Sequence, residues 1–460
     1  MEAILEQLIA DFHERDLPAF TRRHIQLPWL LNEIDTVIGM RRSGKTWFLF
    51  QVISDLLSNK YPKESILYLN LEDERLLPMT ASDLHHIPDV YYRRYPHLRD
   101  RSCTFFFDEI QNISGWEHFI RRLLDTENVH ICLTGSSAKL LSREIATSLR
   151  GRSISTEVFP FSFLESLEHD GVDIGDRRRP GAKRRAFMEN RFNAYLLEGG
   201  FPEVQGIDAG YRVRILQDYL NVVILRDLVE RHRISNTTPL RYMIRHLLNN
   251  TASLFSINKF HNDLKSQGIP CGKNSLHEYL DHLSDAFLFF PVYVHTRSER
   301  ARMVNPKKIY AIDPGLVQAC SRSVQHDWGH LLENFVFLEL RRSHNVIEYY
   351  RTNSGSEVDF LITDSRGEVS LIQVSAQMDD PPTRKRELKA LFEAMEECEK
   401  RQATVITLHQ EEHLKTKSGH INIMPAWLWA MSSSAKNFLA GEVALSGVVN
   451  SVPADKEVWK

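Results

Sequence analysis

Eight consecutive residues, Gly39 to Thr46, constrain this chain more than any other stretch. They read G-M-R-R-S-G-K-T and satisfy G-x-x-x-x-G-K-[ST] at every fixed position. Asp35-Thr36-Val37-Ile38 before them ends a short apolar run that reads as a buried strand. After them Trp47, Phe48, Phe50, Val52, Ile53, Leu56 and Leu57 recur at helical spacing. A strand, a glycine turn and a helix aim backbone N–H groups and a positive helix end at phosphate. Gly39 and Gly44 let the backbone close around an anion without an intervening Cβ. The expected contact set is Gly39, Met40, Arg41, Arg42, Ser43, Gly44, Lys45, Thr46 and the following Trp47. Lys45 would reach the β- and γ-phosphates and Thr46 would hold Mg²⁺, so ATP and Mg²⁺ are the implied cofactors.

A length of 460 residues allows about two to four domains, each with its own core. Charged residues at 25% and hydrophobic ones at 42% are ordinary for a soluble globular chain. A net charge of −3 exerts no global pull on nucleic acid, so any such contact must come from local patches. Five scattered cysteines form no C-x-x-C pair, which predicts free thiols in a reducing cytoplasm and no zinc site. The N-terminus, with Glu2, Glu6, Asp11, Glu14, Arg15 and Asp16, lacks a signal-peptide core. No stretch approaches the length needed to span a bilayer, so a cytoplasmic location and no membrane partner are expected.

Downstream of the glycine loop, Ile66 to Leu71 is a second apolar strand ending in Glu72, Asp73 and Glu74. These acids suit either a sheet's carboxyl edge or a helix cap. Thr104-Phe105-Phe106-Phe107-Asp108-Glu109 is a third strand, ending in two acids about 60 residues after the loop. That is the Walker B arrangement: Asp108 would hold Mg²⁺ through water and Glu109 would orient or deprotonate the attacking water. Val129 to Leu133 is a further strand, leading into Thr134-Gly135-Ser136-Ser137.

Taken in order, these motifs resemble a family. I-G-M-R-R-S-G-K-T, F-D-E-I-Q-N-I-S-G-W-E, L-T-G-S-S-A-K-L-L-S, L-R-G-R and F-P-F-S-F come first. G-G-F-P-E-V (199–204), I-L-R-D-L (224–228), K-I-Y-A-I-D-P-G-L (308–316), E-V-D-F-L (357–361) and L-I-Q-V-S (371–375) follow. The chain is similar to bacterial and archaeal AAA-type P-loop ATPases whose C-terminal half is a domain of unknown function with a restriction-endonuclease-like core. The resemblance runs to about residue 430. It implies ATP binding and hydrolysis by an α/β core. It also implies a polar residue, Ser136, sensing the γ-phosphate, and an arginine finger, for which Arg152 is the candidate ahead of Arg150.

The resulting layout is an ATPase core over residues 1–160 and a helical lid over 161–238. A winged helix (239–300), a PD-(D/E)xK-like α/β domain (301–430) and a tail (431–460) complete it. Within the lid region, Arg177 to Arg185 form a basic run broken by Pro180-Gly181; it suits a solvated loop or a nucleic-acid contact. In the winged helix, Lys273, Asn274, His277, Glu278 and His282 lie on or near the expected recognition helix, and Arg297 and Arg300 follow the wing. In the last domain Glu333, Asp359 and Gln373 match the acidic positions of a PD-(D/E)xK centre, but Ser375 stands where its lysine belongs. A degenerate site is the expectation, with Lys385 or Lys389 as the alternative source of a migrated lysine. The whole predicts an ATP-hydrolysing homo-oligomer that couples nucleotide state to nucleic acid, DNA in particular. The competing reading is a nucleotide-regulated switch acting on protein partners.

Overall fold

Apolar runs without polar alternation, such as Thr104 to Phe107, are the mark of strands covered on both faces. The computed structural model describes residues 1–30, 33–137, 152–174, 181–321, 327–343, 346–416 and 419–432. These fall into two compact units that divide after Val158.

In the first unit, α1 (Glu2–Glu14) precedes β1 (Ile34–Ile38) and α2 (Lys45–Ser58). β2 (Ile66–Asn70), α3 (His86–Arg94), β3 (Cys103–Asp108), α4 (Trp116–Thr126), β4 (Val129–Gly135) and β5 (Ser153–Glu157) follow. The five strands form one parallel sheet in the order β2-β3-β4-β1-β5. Phe105, Phe106 and Phe107 are all fully buried, because helices cover both faces. Phe12, Val37, Phe48, Phe106 and Cys132 share one core. This order inserts β4 between the loop strand β1 and the acid-bearing strand β3. The carboxyl ends of all three therefore meet at one edge.

Two local details refine the sequence reading. Asp73 caps a single helical turn, accepting from the Arg75 N–H at 3.0 Å, while Glu72 pairs with Arg41 at 3.2 Å. Asp73 thus acts as a cap. Ahead of the sheet, Arg23 is buried and donates from its guanidinium to the Ser43 carbonyl at 3.0 Å. Gln51 exchanges hydrogen bonds with the Arg23 backbone at 2.6 and 3.1 Å. The segment before β1 thus grips the glycine loop.

The second unit begins with α5 (Phe163–His169), started by a capping box of Ser162 and Glu165. α6 (Ala182–Glu198), α7 (Ala209–Val222) and a π-helical run (Val223–Glu230) follow. Next come α8 (Thr237–Asn249), β6 (Ser253–Phe255), α9 (Ile257–Ser266), α10 (Lys273–Asp285) and β7 (Phe289–Val294). After α11 (Glu299–Val304), β8 (Lys307–Ala311) pairs antiparallel with both β7 and β6. α12 (Pro314–Cys320), α13 (Trp328–Arg341), β9 (Val346–Arg351), β10 (Glu357–Thr363) and β11 (Val369–Val374) continue the unit. α14 (Pro381–Glu397), β12 (Gln402–Thr407), β13 (Glu412–Thr416) and β14 (Gly419–Pro425) complete it. β7 also pairs parallel with β9, giving a sheet in the order β13-β14-β12-β11-β10-β9-β7-β8-β6. The boundary read at residue 300 therefore crosses a continuous sheet. α13 is apolar nearly all round (Leu331, Leu332, Phe335, Val336, Leu338 and Leu340 are buried), as a helix enclosed by other elements must be.

Pro314-Gly315 opens a helix, since Asp313 caps the Leu316 N–H at 2.8 Å and proline suits the first helical position. α10 starts at Lys273, after Gly272. Arg185 of the basic run is tied to Glu189 and Glu411. Arg177 to Pro180, Arg150 and the tail beyond Ser432 lie outside the described residues. All five cysteines are free, and no described helix is long and apolar enough to cross a membrane.

Candidate nucleotide site and a second acidic centre

The glycine loop owes its shape to two positions. Gly44, the N-cap of α2, sits at φ 98°, in the left-handed region that glycine enters without cost. At Gly39 a Cβ would overlap the Val158 carbonyl oxygen, so the chain passes only without a side chain. Arg42 also adopts a left-handed φ of 68° and is exposed, whereas Met40 and Ser43 are fully buried. The Ser43 hydroxyl is buried and has no hydrogen-bond partner among the described residues. Trp47 is exposed at the start of α2.

Lys45 is buried and donates to the Gly39 and Met40 carbonyls at 3.1 and 3.3 Å, with Glu109 at 3.4 Å. The Thr46 hydroxyl donates to Asp108 at 2.7 Å, and Tyr68 donates to the same oxygen at 3.0 Å. Residues 62 apart in sequence thus share one carboxylate at the sheet's carboxyl edge. The two neighbouring acids shift in opposite directions. Burial, then the Glu109 charge, pushes the Asp108 carboxyl up. Burial acts the same way on Glu109, but Lys45, Gln111 and Arg41 outweigh it and hold Glu109 below its ordinary value. Glu109 itself sits at φ 55°, a conformation that costs a non-glycine residue about 1 kcal/mol.

The sequence reading chose Ser136 at the end of β4, and Ser136 is buried there. The side chain that joins the two acids, however, is Thr134. Its hydroxyl donates to Asp108 and accepts the Glu109 N–H at 2.8 Å. Its position at the end of an apolar strand carried the signal; which of four successive small residues points inward depends on the register with β3. Thr134→Val keeps the shape and removes both bonds. Hydrogen bonds to charged groups contribute about 1.5–3 kcal/mol, so turnover should fall on the order of tenfold to a hundredfold with nucleotide affinity kept. Steady-state phosphate release together with a melting curve checks this; turnover within twofold of wild type would refute the role.

Arg152 requires correction as a finger within its own site. β5 runs parallel to β1 with Ser153 opposite Ile34 and Glu157 opposite Ile38. Arg152 therefore stands at the edge away from the glycine loop, about 16 Å along the strands. Its side chain pairs with Asp125 at 3.2 Å, near the end of α4.

The second acidic centre lies in the other unit. Glu333, Asp359, Gln373 and Ser375 are brought together and are all buried. Gln373 accepts the Asp359 N–H at 3.3 Å and donates to Glu387 at 2.6 Å, while Ser375 donates to the Gln377 carbonyl. The lysine of this centre is neither Lys385, which is exposed, nor Lys389, which pairs with Glu393 at 3.6 Å. It is Lys308 of β8, which contacts Glu333, Glu357 and Asp359. Lys308 stands in the K-I-Y-A-I-D-P-G-L stretch, but nothing local to that stretch points at acids 25 and 51 residues away. On α10, Lys273, Asn274, His277 and Glu278 are exposed, whereas His282 stacks on His232 at 3.6 Å.

Residues 31–167 match a family described as AAA domain. Residues 189–326 and 328–429 match two families, each described as a domain of unknown function (DUF8612 and DUF4143). Uncharacterized protein MJ1544 of Methanocaldococcus jannaschii is 34% identical over 426 residues, covering 89% of this chain and 91% of its own. An uncharacterized protein of Haemophilus influenzae is 29% identical over 347 residues, covering 75% of this chain and 83% of its own. Among solved structures, the Aeropyrum pernix ORC1 protein in complex with DNA covers 69% of this chain and 90% of its own at 13% identity. Its TM-score of 0.26 is too low to bear on fold or function. With a third of its residues shared along nearly the full length, and an AAA match over the glycine loop, the chain belongs to the P-loop AAA family that includes the M. jannaschii protein.

Proposed function

We propose that this protein is an ATP-hydrolysing AAA-type enzyme that couples its nucleotide state to the binding or remodelling of nucleic acid. The observation that carries the ATPase reading is the meeting of Lys45, Thr46, Asp108, Glu109 and Thr134 at one sheet edge. These residues suit Mg²⁺: a hydroxyl and a carboxylate 2.7 Å apart lie beside a loop whose buried Ser43 hydroxyl has no partner among the described residues. Thr46 and Asp108 would hold the ion, which when bound neutralises charge on the β- and γ-phosphate oxygens. Lys45 supplies a fixed cation to the same phosphates. Glu109, kept ionised by Lys45, accepts a proton from the attacking water, and Thr134 keeps both acids aimed.

The nucleic-acid part is supported by the second unit. Residues 237–311 run helix, strand, helix, helix, strand, short helix, strand, which is the winged-helix order with α11 inserted between its last two strands, and Lys273, Asn274, Arg297 and Arg300 are exposed along it. Residues 328–407 run helix, three strands, helix, strand, which supports a PD-(D/E)xK-like fold. Gln373 and Ser375 make that fold a binding or packing module without efficient cleavage. One observation favours protein partners instead: Met303 and Val304, between β7 and β8, are 64% and 72% exposed. Phosphate release with and without single-stranded, duplex and branched DNA, alongside gel shifts, separates the two. Stimulation severalfold by one DNA form supports the first reading; no binding and no stimulation leaves the protein-directed switch.

Assembly into a homo-oligomer completes the proposal, because Arg152 could then serve the site of another copy. Arg152→Ala protein mixed with Glu109→Gln protein should recover turnover if Arg152 acts in trans. Wild-type turnover by Arg152→Ala alone would remove Arg152 from the mechanism.

A further inference from the structure

Lys308 is 3% exposed and its ammonium meets three carboxylates at once: Glu333 at 2.9 Å, Glu357 at 2.9 Å and Asp359 at 2.7 Å. Two of these contacts, to Glu333 and Asp359, are hydrogen bonds donated by the ammonium, and Glu357 adds an ion pair. Two further donors reach the same carboxylates. Tyr310 donates to Glu333 at 2.8 Å, and the Val374 N–H donates to the second Asp359 oxygen at 2.8 Å. We propose that the Lys308 ammonium is the resident cation of this centre, standing where a PD-(D/E)xK fold would seat a divalent metal and closing the centre to one. This deepens the nuclease-like reading of residues 328–429 and does not depend on the ATPase site.

The donor set fits an ammonium and does not fit a divalent ion. Mg²⁺ or Mn²⁺ would need the same carboxylate oxygens at about 2.1 Å, inside the space Lys308 fills. Gln373 belongs to the same design. A glutamate there would face the Glu387 carboxylate across the 2.6 Å that the amide now bridges. Arg386 closes the chain on the far side of Glu387 at 2.6 Å. Among the described residues no group of three His, Cys, Asp or Glu is arranged to hold a metal. The exclusion is confined to the oxygens that Lys308 occupies: a cleft of about 450 Å³, lined by Ser253, His330, Glu357, Asp359, Ser375 and Arg386, opens beside the lysine.

The test counts bound Mn²⁺ by electron paramagnetic resonance on the full chain without nucleotide. Wild type, Glu357→Gln, Lys308→Gln and the double variant are compared. Wild type and Glu357→Gln should bind Mn²⁺ alike, because the centre contributes no site. Lys308→Gln should gain one Mn²⁺ at least tenfold tighter than the wild-type background and lose it again in the double variant. Folded Lys308→Gln without that gain overturns the proposal. If Lys308→Gln does not fold, the first pair decides: equal binding upholds the closed centre, and a tenfold loss in Glu357→Gln overturns it. DNA cleavage that needs Mn²⁺ and vanishes in Glu357→Gln also overturns it, whatever the ATPase does.

Discussion

Alanine at Lys45 should bring ATP turnover below detection and weaken nucleotide binding severely. Two losses fall on one step. The side chain is the buried cation of the loop, held by the Gly39 and Met40 carbonyls in reach of the phosphates. It is also the main group that keeps Glu109 ionised against burial. Without it the Glu109 carboxyl moves upward, so a smaller fraction of it is ionised and free to take the proton. Removing one preorganised electrostatic group costs on the order of 10²–10³ in rate, and these two effects are not independent. The fold should survive, because α2 is anchored by Phe48, Leu49, Val52 and Ile53, all buried. Fluorescent-nucleotide titration and phosphate release check both halves. Turnover within tenfold of wild type would falsify the assignment of Lys45.

Glu109→Gln should behave differently: ATP binding is retained or tightened while hydrolysis falls on the order of 10²–10⁴, the usual worth of a general base. The amide preserves the bond with Gln111 by rotation and cannot take a proton. Asp108 is affected in the useful direction. The Glu109 charge raises the Asp108 pKa, so neutralising residue 109 makes Asp108 easier to ionise beside Thr46. The variant should therefore accumulate as the ATP complex, seen as unhydrolysed nucleotide after gel filtration. The wild-type pH profile follows from the same pair. Glu109 is held below the ordinary carboxylate range, so its contribution is complete at neutral pH and fades only as pH falls below that range. Equal hydrolysis by Glu109→Gln and wild type would assign the base elsewhere.

The first site was legible because its chemistry is local. G-M-R-R-S-G-K-T carries its own turn, and a glycine at the start of α2 is demanded by a left-handed backbone that any homologous fold would share. Asp108 and Glu109 were legible at one remove, since an apolar strand ending in two acids at this spacing narrows the choices. Ser136 and Thr134 mark where that logic stopped. Both end the same strand, and only the pairing of Phe107 with Leu133 turns Thr134 towards Asp108. Arg152 as a finger within its own site fell for a related reason. Proximity in sequence to β4 says nothing of strand direction, and the parallel pairing of β5 with β1 carries Arg152 to the opposite edge.

The acidic centre divides along the same line. Its carboxylates could be named from the order of helix and strands, because period and apolar content identify those elements residue by residue. Its cation could not. Lys308 reaches Glu333 and Asp359 only because β8 pairs with β7, and β7 pairs in turn with β9. Pattern within a segment sets turns, caps and which face is apolar, since those depend on neighbours a few residues away. Which strands lie side by side depends on burying those faces against partners tens of residues distant. That packing, and no motif, puts an ammonium among three acids and leaves Lys385 and Lys389 outside.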